Sequence, residues 1–378
     1  MRKKTRYKFL FIFFIIFGLV WQKADAAPFE QDGPPYTYYF PVVYNFKPNP
    51  SPTPPSHYST SWYMTPQNIG ATSTYQMGCQ AGLQTVQLSG IQDSLIILDF
   101  GQPWGNSSYL GTILLRETRE GGWKITSDSD ITIAVKNFIN GYMACSDHVS
   151  KITVGIGTSN FAFSSNWSVT GCPEGTIRWM CYENNAYDHG WVWAAMTRNV
   201  SNWVDSNNYE NQVTVAGAND IELAWNYPDN TVAWVDGFND NDNNAVIFYN
   251  YGACEGCPTR NNPNSNPTLV NGWTMFLAHY TAWRVAPAWP IPEIYLNNGV
   301  HAKQWAYLSK WGVDHGYPKM VFLSAMTQLQ ACGGIDKSDC LTTDNTPQEA
   351  WYQLYNEVNF WPSTSLEYIP WMTDIDWP

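Results

Sequence analysis

The sequence predicts a (β/α) barrel of the TIM type, irregular or incomplete in its strand count and preceded by an extended N-terminal arm. Three observations favour this fold class. The chain has 378 residues, enough for one large barrel or for two or three smaller domains. Short apolar runs alternate with helical patterns, as in β/α folds. Several runs end in polar or aromatic residues, where parallel β/α folds carry functional groups. An open doubly wound sheet is the alternative.

The first 26 residues have the pattern of a secretory signal peptide. A basic start, Met1–Arg6, precedes a twelve-residue apolar run, Phe9–Val20, and Ala24-Asp25-Ala26 is an A-x-A cleavage pattern. The run is too short to cross a bilayer. No later uncharged apolar stretch reaches about eighteen residues, the length a membrane span needs. We therefore expect a secreted or cell-surface protein with no membrane span in the mature chain.

Residues 27–59 are rich in Pro and Tyr and should form an extended arm or linker, because they have few ways to bury a core. Residues 60–378 should then form a single barrel domain. A structural surface protein that self-associates through the arm is one alternative function.

Within the barrel domain the pattern predicts seven central strands and four main helices. The strands are expected at 94–100, 151–157, 212–222, 245–251, 274–280, 291–295 and 320–325. The helices are expected at 130–145, 191–204, 301–311 and 347–359. Seven strands are one short of a complete barrel, and the missing strand lies within 112–125 or is absent.

Composition limits the partners. Aromatic residues make up 16% of the chain and charged residues only 14%. The chain has 20 Lys and Arg residues and 32 Asp and Glu residues. The signal segment holds six of the basic residues and one acidic residue, Asp25. The mature chain therefore has 14 basic and 31 acidic residues, a net charge of −17. Nucleic acid and anionic membranes are poor partners for such a chain. Many Trp, Tyr, Asn and Asp side chains suit a neutral polysaccharide or peptidoglycan.

Eight cysteines in an exported chain indicate disulfides rather than a metal site. Their spacing favours three local pairs and leaves a fourth by elimination. The expected pairs are Cys172–Cys181, Cys254–Cys257, Cys332–Cys340 and, by elimination, Cys79–Cys145.

The pair Asp220 and Glu222 ends the predicted strand 212–222 and is the sharpest chemical feature. Residues two apart on a strand face the same side, so both carboxylates should face the barrel axis. Their repulsion and burial should raise one pKa toward neutral, as a general acid needs. Asp99 ends another strand at the same edge. The alternative is an incidental acidic strand end, neutralised by Arg284 or by calcium.

An Asp at the end of the first barrel strand and a D-x-E at the end of a middle strand resemble the family 25 glycoside hydrolases, the lysozyme-type muramidases. The chain also resembles related secreted glycoside-hydrolase-like barrels. The resemblance implies that Glu222 is the catalytic acid and that Asp220 and Asp99 line the sugar site. It spans about 60–361, and Ala278-His279-Tyr280 with Trp283 is similar to an aromatic strand end of those enzymes. Phe100-Gly101 after Asp99 departs from the family pattern.

Further candidates for binding sugar lie at or near other predicted strand ends. They are Trp225, Tyr251, His279, Tyr280, Trp283 and Glu293. G-x-S-x-G and H-E-x-x-H motifs are absent, so we expect neither a metal nor a cofactor. These observations predict a secreted glycoside hydrolase that cleaves an O-glycosyl bond. The main alternative is a non-catalytic barrel that binds carbohydrate or the cell envelope.

Overall fold

Eight parallel strands form one sheet that is nearly closed into a barrel in the computed structural model of the chain. The structure describes residues 53–105, 110–114, 124–161, 183–260, 267–285, 288–334 and 345–377. The signal segment and most of the predicted arm lie outside these ranges. The predicted barrel class is therefore confirmed, and the open doubly wound alternative is not what the structure shows.

The described strands number eleven and the described α-helices eight. The strands are β1 (Ser59–Tyr63), β2 (Ser94–Asp99), β3 (Gln102–Gly105), β4 (Leu110–Ile113), β5 (Ile125–Ser127), β6 (Ile152–Ser159), β7 (Val213–Asp220), β8 (Ile247–Asn250), β9 (Ala288–Pro290), β10 (Ser324–Thr327) and β11 (Trp371–Asp376). The helices are α1 (Ala71–Gln87), α2 (Asp128–Cys145), α3 (Glu183–Ser206), α4 (Pro228–Asn241), α5 (Met275–His279), α6 (Val300–Asp314), α7 (Leu329–Gly334) and α8 (Pro347–Val358).

The barrel strands follow the order β10-β11-β1-β2-β6-β7-β8-β9, and every neighbouring pair is parallel. The gap between the two edge strands is bridged by the chain that follows β9. The Met326 amide donates to the Pro292 carbonyl oxygen at 2.9 Å, and the Ile294 amide donates to the Met326 carbonyl oxygen at 2.9 Å. β3, β4 and β5 form a separate antiparallel sheet.

Two barrel strands, β1 and β11, were not predicted, and the predicted strand 291–295 begins one residue after β9 ends. β1 and β11 lack a continuous apolar run in the sequence, because some of their buried side chains are hydroxyls that bond to neighbouring strands. Ser61 Oγ accepts a hydrogen bond from the Ile97 amide at 2.8 Å and lies 2.7 Å from Thr373 Oγ1. Ser59 Oγ donates to the Leu95 carbonyl oxygen. The prediction of a missing strand within 112–125 was wrong, because β4 and β5 belong to the antiparallel sheet.

The predicted strand 274–280 was also wrong. Thr274 caps a short helix there, accepting a hydrogen bond from the Leu277 amide at 3.2 Å, and α5 continues into a π-helical turn over Tyr280–Arg284. A short apolar run fits a buried helix as well as a strand. The four predicted helices are all present, as α2, α3, α6 and α8.

Two of the predicted disulfides are present, Cys79–Cys145 and Cys254–Cys257. The first joins α1 to the last residue of α2. Cys172, Cys181 and Cys340 lie outside the described residues, so the other two pairs stay predictions. Within the described ranges, no helix is both long and apolar enough to cross a bilayer.

Helices α1 and α2 touch through glycine. A Cβ on Gly78 would lie 1.8 Å from the Phe138 carbonyl oxygen, and one on Gly141 would lie 2.0 Å from the Tyr75 carbonyl oxygen. The two helix backbones can therefore approach only because neither residue has a side chain.

We expect Gly78→Ala to lower the free energy of unfolding by about 1–3 kcal/mol, the usual cost of overpacking. Helix propensity alone would favour alanine by about 1 kcal/mol. Gly70→Ala, at the N-cap of α1, is the control, because nothing lies within 4 Å of a Cβ placed there. It should cost less than about 1 kcal/mol, the N-cap preference for glycine over alanine. Urea unfolding of both variants checks the expectation, and equal stabilities would contradict the close approach.

Candidate active site at the carboxyl ends of the strands

Three carboxylates lie inside the barrel at the carboxyl ends of its strands, and strand alternation places two of them. Asp99 ends β2, Asp220 ends β7, and Glu293 follows β9. Alternate residues of a strand face the same side, and the residues in step below them, including Ile97 and Ala218, fill the barrel interior. Asp99, Asp220 and Glu293 are only 2%, 5% and 4% exposed. They lie at the carboxyl ends of the strands, the edge where barrels of this class carry function.

Glu222 lies two residues beyond Asp220, in the turn that follows β7. Its amide donates to Asn160 Oδ1 at 3.2 Å, and its carbonyl oxygen accepts a hydrogen bond from Asn160 Nδ2 at 3.0 Å. Asn160 follows β6 and is fully buried, so these two bonds hold the turn. Ile221 packs outward into the core around the barrel. The Glu222 side chain is only partly exposed.

The carboxylates of Asp220, Glu222 and Glu293 converge. One oxygen from each lies within 4.8 Å of the others. Glu293 Oε1 accepts a hydrogen bond from the Tyr295 hydroxyl at 2.8 Å. Asp220 Oδ1 is buried and has no hydrogen-bond partner in the described part of the chain. The D-x-E pair and a carboxylate distant in sequence therefore share one small space.

The Tyr251 side chain is hydrogen-bonded to Asp99, although Tyr251 follows β8, which is not adjacent to β2 in the barrel. Its hydroxyl donates to the Thr158 carbonyl oxygen at 2.9 Å, and the Gly101 amide donates to Asp99 Oδ1 at 2.7 Å. A Cβ on Gly157 would lie 2.8 Å from the Tyr251 hydroxyl oxygen and 3.1 Å from the Asp99 Cα. Glycine at 157 therefore leaves the space through which Tyr251 crosses β6.

Burial raises the pKa of every carboxyl group in this space. It raises the pKa of Asp99 to about 6. Burial and then the negative charge of Glu255 raise the pKa of Glu222 to about 7. The pKa of Asp220 is raised well above its usual value by burial, then by Glu293 and Glu222. Burial and Glu222 do the same for the pKa of Glu293. Asp220 and Glu293 therefore hold a proton more strongly than ordinary carboxyl groups, and their charges link their ionisation to that of Glu222.

No basic side chain neutralises these carboxylates among the residues that the structure describes, where the ion pairs are Arg260–Glu357 and Lys310–Asp314. The alternative that Arg284 neutralises the D-x-E is wrong, because its guanidinium lies over the Tyr317 ring, 4.2 Å from the ring centroid. The negative charge of these carboxylates can therefore be neutralised by bound protons or by a bound cation. Three carboxylate oxygens at this spacing suit a calcium-type ion, whose oxygen distances are about 2.3–2.6 Å.

Stability should fall as pH rises. The pKa values of Asp99 and Glu222 are raised in the folded chain, to about 6 and about 7, from ordinary values of 3.8 and 4.5. Their stabilising contribution is complete below the ordinary values and is lost as pH rises through the raised ones. We expect a lower Tm at pH 8 than at pH 5.

Asp220→Asn should raise the Tm at pH 8 by about 4 °C or more, since 1 kcal/mol moves the Tm of a large domain by about 2–4 °C. It should change the Tm at pH 4 little. Asp188→Asn, on the exposed side of α3, is the control. Calorimetry at both pH values checks the difference, and equal effects of the two variants would contradict it.

Three of the predicted sugar contacts lie elsewhere. His279, Tyr280 and Trp283 lie in α5 and the π-helical turn, which lead into the amino end of β9. His279 is fully buried against α6, where a Cβ on Gly312 would overlap its ring. The Tyr280 hydroxyl donates to Asp236 Oδ1 at 2.6 Å. Their placement at a strand end was wrong because the predicted strand 274–280 is a helix.

Trp225 and Tyr63 lie near the carboxylates. The Trp225 amide donates to the Glu222 carbonyl oxygen at 3.1 Å, and its partly exposed ring meets Phe161 edge to face, with ring centroids 5.5 Å apart. Burial and then the charges of nearby carboxylates, Glu293 first, raise the pKa of Tyr63. Tyr63 was missed because β1 was missed. The alternation from Glu293 to Tyr295 could have identified Tyr295 as a neighbour.

No family model matches this chain, and no curated protein matches it. The resemblance to family 25 glycoside hydrolases therefore stays a prediction from the motifs.

Proposed function

We propose that this protein is an exported glycoside hydrolase that cleaves a polysaccharide or peptidoglycan at the carboxylate site. The observation that carries the proposal is the convergence of Asp220, Glu222 and Glu293 within 4.8 Å at the carboxyl ends of the strands. Glycosidic bonds are cleaved by a carboxylic acid and a carboxylate that flank the bond. A signal-peptide pattern at residues 1–26 and the excess of acidic residues support export and a non-anionic substrate.

Glu222 is assigned as the general acid. It is the most exposed of the three converging carboxyl groups, so it can meet the glycosidic oxygen of a bound chain. Burial raises its pKa to about 7, which keeps the proton in place near neutral pH. It donates that proton to the glycosidic oxygen as the bond from the sugar C1 to that oxygen breaks.

Glu293 is assigned as the second carboxylate. The Tyr295 hydroxyl donates to its Oε1 at 2.8 Å, and this bond opposes the rise in the pKa of Glu293 that burial and Glu222 cause. Glu293 attacks in its ionised form, which the bond stabilises. Its oxygen attacks C1 and forms an ester as the leaving sugar departs. Water then attacks C1 and transfers a proton to Glu222, and the Glu293 carboxylate is released. Asp220 and Asp99 hold the sugar beside the reacting pair.

The separation of the two carboxylates predicts the stereochemistry. Retaining enzymes place them about 5–5.5 Å apart and inverting enzymes about 6.5–9.5 Å apart. One oxygen of Glu222 lies within 4.8 Å of one oxygen of Glu293. So close an approach leaves little room for the water that an inverting enzyme holds between the two groups, so we assign retention. Proton NMR of the first product formed from a soluble oligosaccharide tests this. Net inversion, or no cleavage of any oligosaccharide that binds, would contradict the proposal.

One observation favours a second candidate, a carbohydrate-binding barrel without catalysis. Asp99, Asp220 and Glu293 are at most 5% exposed, so the barrel mouth leaves little of them open to a sugar. This candidate predicts saturable binding of a polysaccharide, no reducing ends released, and unchanged affinity in Glu222→Gln.

A further inference from the structure

We infer that the sugar held at this site carries a free protonated amine, so that the substrate class is a de-N-acetylated hexosamine polymer. This inference rests on the proposed function and specifies its substrate. It depends on Asp220, the one carboxyl group of the converging three that the hydrolytic step does not consume.

Asp220 Oδ1 is the central observation. Asp220 is 95% buried, its Oδ1 has no hydrogen-bond partner among the described residues, and its carboxylate points into the space shared with Glu222 and Glu293. An unpaired buried carboxylate oxygen is costly because it has lost its water. A ligand that donates a hydrogen bond to it would remove that cost.

Positive charge on the ligand would replace the protons that burial makes these carboxyl groups hold. The carboxylates in and beside this space repel one another. They are Asp99, Asp220, Glu222, Glu293 and the nearby Glu255. The described residues offer these carboxylates no cationic side chain at ion-pair distance. Buried charges are tolerated when they are paired, so a cationic ligand is complementary to this site.

An ammonium group fits the spacing. Charge-assisted N–H···O bonds are about 2.7–2.9 Å long, so one nitrogen can bridge carboxylate oxygens that lie within 4.8 Å of one another. It supplies three donors and one charge. An N-acetyl group supplies one donor and no charge, and a carboxylated sugar would be repelled. A divalent cation also suits the spacing, so calcium is one of the probes in the test.

The test measures binding by calorimetry at pH 6 with four probes: the methyl glycosides of glucosamine, of N-acetylglucosamine and of glucuronic acid, each as both anomers, and calcium chloride. We expect the glucosaminide to bind at least tenfold more tightly than the other two glycosides. Asp220→Asn should reduce that preference at least tenfold, and Asp188→Asn should leave it unchanged. Circular dichroism confirms that both variants are folded.

Equal or tighter binding of the N-acetylated glycoside would overturn the inference. Calcium binding that the glucosaminide does not displace would also overturn it, as would no binding of any sugar. Hydrolysis of glucosamine and N-acetylglucosamine hexamers is followed separately. Selective amine binding without cleavage would refute the proposed hydrolysis and leave the ligand class standing. Cleavage of the N-acetylated hexamer without any preference for the amine would do the reverse.

Discussion

Glu222→Gln is expected to lower kcat/KM on a natural glycoside by about 10²–10⁴-fold, the usual contribution of a positioned general acid. The amide has the shape of the acid but no proton to give to the leaving oxygen. A substrate with an activated aryl leaving group needs little protonation, so its bond cleavage should be slowed far less. Initial rates on both substrates measure the difference.

The pH profile provides the control. Because burial and Glu255 raise the pKa of Glu222 to about 7, wild-type activity should fall above that pH as the acid ionises. Glu255→Gln removes one cause of the raised pKa and should shift this fall to lower pH with kcat retained. An unchanged alkaline fall in Glu222→Gln would assign the proton to another group.

Glu293→Ala should reduce hydrolysis by at least as much as Glu222→Gln, because the attacking oxygen itself is lost. Adding azide should restore turnover of an activated glycoside and give a glycosyl azide of inverted configuration, since the anion enters from the empty side. The variant should stay folded, because it removes a buried carboxyl whose pKa is raised by burial and by Glu222. NMR of the azide product reads the configuration.

Tyr295→Phe is the matched control for Glu293. It removes the hydroxyl that donates to Glu293 Oε1 and keeps the carboxylate, so a partial loss without azide rescue is expected. A glycosyl azide of retained configuration from Glu293→Ala would mean that Glu293 is the acid and Glu222 the attacking group.

The sequence predicted the barrel because β2, β6, β7 and β8 are continuous apolar runs, as buried parallel strands should be. It did not reveal β1, whose inward positions include Ser59 and Ser61. Their hydroxyls bond to neighbouring strands inside the barrel. This segment is therefore a buried strand, although its sequence is partly polar.

The D-x-E pair was recognisable because both carboxylates lie in one stretch of chain. Their convergence with Glu293 was not, because it depends on how the chain after β9 turns toward β10, and no local pattern encodes that. The prediction for His279 was wrong because a short apolar run was interpreted as a strand. The run is a helix, so His279 lies before the amino end of β9 and not at the carboxyl ends of the strands.

The most direct test of the central claim is the release of reducing ends by the purified mature protein. It is incubated at pH 5 to 8 with peptidoglycan, an N-acetylated hexosamine polymer, its de-N-acetylated form and a neutral glucan. The same assay is run with the double variant Glu222→Gln, Glu293→Gln. We predict that the wild type releases reducing ends from at least one polymer and the double variant from none. Equal release by both proteins, or none by the wild type from a polymer that it binds, would contradict the claim.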